Sequence, residues 1–163
     1  MPDLSVYKEL WTFLISMVPV VELRGALPFA LINGIHPAFA IFLCVAGNML
    51  PIPFILLFIR PIFTYLKKLG SLQKFIHSLE EKAFKKSGNI AKYNIIGLIA
   101  FVAIPLPGTG AWSGALIASL LDMRFKYALP AIFAGVLIAS GIVTVVYYLI
   151  ASGAAPFLQW IIK

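Results

Sequence analysis

Apolar residues run in long blocks that short clusters of charge interrupt. Four intervals hold no Asp, Glu, Lys or Arg: 10–21, 25–59, 93–121 and 127–162, of 12, 35, 29 and 36 residues. A straight helical span needs about 20 apolar residues. Intervals of 29 and 35 are too long for one span and too short for two with a loop. Each predicts a full crossing plus a partial one, or a helical hairpin that returns to its own side. Pro19, Gly25, Pro28 and Gly34 punctuate the first region, and Pro105, Pro107, Gly108 and Gly110 the third interval. Lipid offers broken backbone no hydrogen bonds, so such breaks survive inside protein or around a water-filled cavity. Simple proline kinks in spanning helices are the plainer alternative.

The polar residues predict the topology. Residues 60–92 hold Arg60 and seven lysines against Glu80 and Glu81, and Arg124 and Lys126 flank a second short loop with Asp122. These two connectors carry ten of the 13 basic residues, which places 60–92 and 122–126 in the cytoplasm. Tyr93 and Tyr127 follow them as interfacial anchors. Residues 93–121 then form an inward-opening hairpin, 127–150 cross outward, 37–59 cross inward and 4–34 form an outward-opening hairpin with its turn near Pro19–Gly25. Both termini are expected outside, and nothing at the N-terminus has the form of a signal peptide. Within the connector, Leu69, Leu72, Phe75, Ile76, Leu79, Ala83 and Phe84 recur at helical spacing, the pattern of a basic amphipathic helix on the inner leaflet or packed on the membrane core.

Composition narrows the class. Of 163 residues, 61% are hydrophobic and 12% charged, against about 45–50% and about 25% in soluble domains. The net charge of +7 sits in juxtamembrane loops, so anionic lipid and not nucleic acid is its expected partner. Cys44 alone excludes an internal disulfide, and His36 and His77 give little support for a metal centre; no cofactor is implied.

The halves can be overlaid. Gly25–Ile32 falls on Gly110–Ile117 at an offset of 85, and Pro37–Ala40 and Cys44–Gly47 resemble Pro130–Gly135. The expected fold is an all-α integral membrane protein with two inverted repeats, each a re-entrant helical hairpin followed by a long transmembrane helix, joined by the amphipathic cytoplasmic helix. It forms one membrane domain: repeat 1 over 4–59, connector over 60–92, repeat 2 over 93–150 and an apolar tail over 151–163. Paired broken segments in inverted repeats point to a transport site near the midplane.

Glu22 and Arg24 are the charges no loop explains. Ionisable groups in membrane segments are expensive and functional by default; the alternatives are an ion pair that only holds the hairpin, or an interfacial loop. Arg24 presents a planar fork suited to phosphate. Pro107-Gly108-Thr109-Gly110 would expose backbone N–H groups at a half-helix N-terminus, an anion site to which Thr109 and Ser113 add hydroxyls. Glu22, partly desolvated, could exchange a proton with water. Asn48 in the first span is a further lining candidate, although Gly47-Asn48 also reads as a packing contact. With Gly25 and Pro28 at the first break, these form the candidate substrate and proton site.

Glu22-Leu23-Arg24-Gly25-Ala26-Leu27-Pro28, together with Pro105–Ala115, resembles the small multidrug export protein family over nearly the whole chain, and more distantly the DedA superfamily. The resemblance implies a compact fold with two re-entrant hairpins meeting at the midplane. For DedA-type proteins it implies translocation of phospholipids or phosphorylated lipid carriers, such as undecaprenyl phosphate, driven by the proton-motive force. Those proteins usually carry arginines in the second hairpin, and 105–115 has none.

The expected function is thus transport of an anionic lipid or lipid-linked phosphate in the inner membrane of a prokaryote, coupled to protons. Export of lipophilic cations and a scaffold role are the alternatives. An enzyme is not expected, since no Ser/His/Asp constellation lies in the buried segments. Gly135, Ser140 and Gly141 offer a close-packing face for another helix, and a homodimer is expected on that ground.

Overall fold

The computed structural model describes residues 4–68, 94–106, 108–121 and 123–153. The regular elements among them are all helices: α1 Leu4–Met17, α2 Glu22–Ile32, α3 Pro37–Met49, α4 Ile52–Lys68, α5 Asn94–Ala103, α6 Ala111–Leu120 and α7 Phe125–Ala151. The expected amphipathic helix, His77, Pro107, Asp122 and residues 154–163 of the tail lie outside the described residues.

Local chemistry sets the boundaries. Gly34, at φ 78°, turns the chain after α2, while Ile35 N–H donates to Ala30 O and Asn33 Nδ2 to Phe29 O. Pro37 then opens α3 at its first position, where a missing N–H costs nothing. Leu50 keeps helical angles between α3 and α4, so the apolar rod continues and Pro37–Ile59 is long and apolar enough to cross a membrane. Helix α7 meets the same test over 27 residues, about 40 Å of rise. Helix continues past the expected boundary at 59 to Lys68. Gly25 and Pro28, expected at a break, lie inside α2. The break itself occupies 18–21; Val20 within it (φ 80°) and Glu22 directly after it (φ 47°) are left-handed.

The same order occurs twice: short helix, break, short helix, connector, long helix. Helix α1 packs on α2 and α3, as α5 packs on α6 and α7, while α2 lies against α7 and α6 against α4. The starts of α2 and α6 differ by 89 residues and those of α3 and α7 by 88. Buried alanines on α2, α3, α6 and α7 let the rods approach closely. A Cβ on Gly47 of α3 would overlap Ser16 Oγ and Phe13 O of α1. A Cβ on Gly135 of α7 would meet Val102 Cβ at 2.6 Å and Ile99 O at 3.0 Å on α5. Gly135 is therefore filled from its own chain, not held open for a second copy; a Cβ on Gly141 would meet open space. Trp11, Phe42, Phe54, Phe58, Ile96 and Val145 point outward, each more than half exposed, a surface suited to lipid.

Candidate functional site

The two unexplained charges stand at the start of α2 and reach across to the other broken segment. Glu22 is 5% exposed. Its Oε2 accepts from Ala111 N–H at 3.3 Å and its Oε1 from Trp112 N–H at 3.1 Å. These N–H groups open α6 and have no intrahelical acceptor. A carboxylate there is favoured by the helix dipole as well as by the bonds themselves. Gly110 makes the approach feasible: its φ is 139°, and any Cβ would collide with the Glu22 carboxylate.

Arg24 serves the other side of the same break. Its Nη1 donates to Leu106 O, and its Nη2 donates to Ile104 O at 3.1 Å and to Thr109 Oγ1 at 2.6 Å. The carbonyls past the end of α5 thus bind a cation, the complement of the carboxylate at α6. Glu22 and Arg24 find these partners on the second broken segment, and not in the mutual ion pair weighed from sequence.

The remaining candidates separate. Thr109 Oγ1 lies 2.6 Å from Ile104 O and 2.8 Å from Leu106 O, so its hydroxyl stabilises the break. Ser113 Oγ folds back on Gly110 O at 3.4 Å. Gly108, at φ 79°, is exposed and touches nothing a Cβ would meet. The start of the returning half-helix, where the 107–110 turn is expected from sequence to offer N–H groups to an external anion, holds the Glu22 carboxylate on the Ala111 and Trp112 N–H groups. Asn48 is 2% exposed, and its Oδ1 has no hydrogen-bond partner. It lines a void of about 10 Å³ together with Glu22, Arg24, Gly110 and Ala111. Trp112 Nε1 is likewise buried and unpartnered.

Arg24 also faces a far larger space. A cavity of about 530 Å³ is walled by Arg24, Pro28 and Ile32 of α2, Pro105 of the break, and Val143 and Tyr147 among residues of α7. Its size is that of a small-molecule site. Among the described residues Arg24 is the sole charged side chain in this lining, and it borders the small void as well. Gly25 lies outside both linings. No residue-type signal marks the roles of Ile104 and Leu106, which act through backbone carbonyls, or of Tyr147, which stands in a featureless apolar run. Among the described residues no group of three or more His, Cys, Asp or Glu is placed to hold a metal ion.

The chain belongs to the family described as "Putative small multi-drug export protein", whose model matches residues 22–142. The match begins at Glu22, directly after the first break, and takes in the second break, α3, α4 and the larger part of α7. No curated protein and no solved structure matches the chain. With its two long apolar helices, the family places the chain among membrane proteins.

Proposed function

We propose that this protein is a membrane transporter for an anionic amphiphile, a lipid-linked phosphate of the undecaprenyl-phosphate type, with proton coupling through Glu22. The observation that carries the reading is Arg24 in the wall of the 530 Å³ apolar cavity. A guanidinium has five N–H donors and stays charged. Three donors are engaged by Leu106, Ile104 and Thr109, which leaves two for a phosphate oxygen. A fixed cation among described lining residues that are otherwise apolar or aromatic selects a ligand with a negative head and an apolar body.

The lengths of the short helices support re-entrant hairpins. Helices α1, α2, α5 and α6 have 14, 11, 10 and 10 residues, about 15–21 Å of rise against a hydrocarbon core of about 30 Å. The paired glycine contacts at Gly47 and Gly135 support the repeat, and the opposite openings of the two hairpins follow from the basic loops. Both termini then lie outside the inner membrane of a prokaryote, with lipids and protons as partners. The DedA likeness belongs to the same proposal, as do transport rather than catalysis and a homodimer.

Export of lipophilic cations is the second reading, favoured by the family's name. Against it, Glu22 borders the small void and not the cavity, and the group presented to the cavity is a cation. Proteoliposomes decide between them. Labelled prenyl phosphate should cross in the presence of the wild type and fail to cross with Arg24→Gln. Export of tetraphenylphosphonium, unaffected by Arg24→Gln and without phosphate movement, would establish the second reading instead.

A further inference from the structure

We propose that the N-terminus of α6 is an anion-exchange site in which the Glu22 carboxylate stands in for the phosphate of the substrate, and that Asn48 Oδ1 receives Glu22 once it is protonated. The proposal rests on the anion-transport reading and deepens it. Three observations lead to it. The Ala111 and Trp112 N–H groups hold a carboxylate supplied by another broken segment, and not by their own helix. The void beside them, about 10 Å³, has room for at most one water, so carboxylate and phosphate cannot occupy the site together. Asn48, 2% exposed, lines that void with an acceptor that has no donor.

Asn48 Oδ1 and the Glu22 carboxylate line the same void, and neither has a proton to give the other. A proton on Glu22 reverses this. The carboxylic acid has an O–H to donate to Asn48 Oδ1, and it loses the charge that held it against the α6 dipole. The two N–H groups are then available to a phosphate oxygen arriving from the large cavity. Arg24 borders both spaces and so stands between the arriving phosphate and the site. The proton comes from the aqueous phase and returns there when Glu22 displaces the phosphate.

Arg24 is the other charged group bordering the void. The described residues that line it from outside α2 are Asn48, Val102, Gly110, Ala111, Val136 and Ala139, none of which titrates. Lys8 and Glu9 of α1, Cys44 of α3 and Tyr147 of α7 lie outside its lining.

Binding of decyl phosphate and of inorganic phosphate to the purified full-length protein in neutral detergent tests the proposal. Glu22→Gln mimics the neutral acid and keeps a donor for Asn48. It should bind decyl phosphate at least about tenfold more tightly than wild type at pH 8, as expected when charged acceptors gain vacated donors. Wild type should approach the Glu22→Gln affinity as pH falls, and the variant controls for titration of the probe itself. Adding Asn48→Leu to Glu22→Gln should remove most of the gain. A gain confined to decyl phosphate assigns the ligand to a lipid headgroup, and an equal gain for inorganic phosphate assigns it to the free anion; either upholds the exchange. Folded Glu22→Gln protein that binds neither probe more tightly than wild type overturns it. If wild-type proteoliposomes still translocate prenyl phosphate in that case, the transport reading survives; if they do not, both fall.

Discussion

Glu22, the first residue of α2, accepts a hydrogen bond of 3.1 Å from the backbone N–H of Trp112, the second residue of α6. One broken segment thereby caps the other. Arg24, two residues on, binds the carbonyl of Ile104 just past the end of α5. A helix interrupted in an apolar medium leaves N–H groups at one end and C=O groups at the other, with no water to satisfy them. The alternation of acid and base at 22 and 24 matches that polarity: the carboxylate meets the donors and the guanidinium meets the acceptors.

Arg24→Lys should therefore not be conservative. A lysine ammonium has no planar fork to reach Leu106, Ile104 and Thr109 together. Loss of two charge-assisted bonds should lower stability by about 2–4 kcal/mol, read as an earlier thermal unfolding transition of the detergent-purified protein. Arg24→Ala should be no better, whereas a lysine variant as stable as wild type would mean that these bonds carry no weight.

Gly110→Ala should be more damaging than Gly108→Ala. Both glycines have positive φ, but a Cβ at Gly108 meets open space while one at Gly110 collides with the Glu22 carboxylate. Gly108→Ala should cost about 1 kcal/mol of backbone strain. Gly110→Ala adds the expulsion of Glu22 to a strain of about 1–3 kcal/mol. Limited proteolysis in detergent at rising temperature ranks the two.

The glycine contacts should be repairable from the other side. Gly135→Ala presses on Val102 and the Ile99 carbonyl, an overpacking of about 1–3 kcal/mol. Val102→Ala in the same chain should restore part of that loss, although alone it leaves a cavity. Thermal transitions of the two single variants and the double variant form the cycle that measures this coupling.

Topology is open to labelling. In a Cys44→Ser background, a cysteine at Ser5 should react with an impermeant thiol reagent in intact cells, and one at Lys126 only after permeabilisation. The reverse pattern would invert the chain in the membrane.

Much of the architecture was legible in the charge-free intervals. Their lengths called for two long helices and two broken segments, and α3 to α4, α7 and the interruptions at 18–21 and 104–110 follow that division. Gly25 and Pro28 misled as markers of a break. Proline removes one intrahelical bond, and here α2 carries Pro28 within its 11 residues without ending. The break lies at 18–21, at the Pro19 end of the turn expected near Pro19–Gly25, and it includes Val20, a β-branched residue in a left-handed conformation, which local preference argues against. Tertiary contacts through Glu22 and Arg24 outweigh that preference. The singularity of those two charges was visible in the sequence, but their partners were not, because backbone N–H and C=O groups carry no residue-type signal.

The most direct test measures translocation of labelled prenyl phosphate in proteoliposomes containing wild type, Glu22→Gln, Arg24→Ala or the double variant Glu22→Gln/Arg24→Met. Wild type should move the lipid, and each variant should insert yet fall to the protein-free rate. Normal translocation by both single variants, or a double variant as active as wild type, would contradict the assignment of Glu22 and Arg24 to transport and leave them only the task of holding the two breaks together.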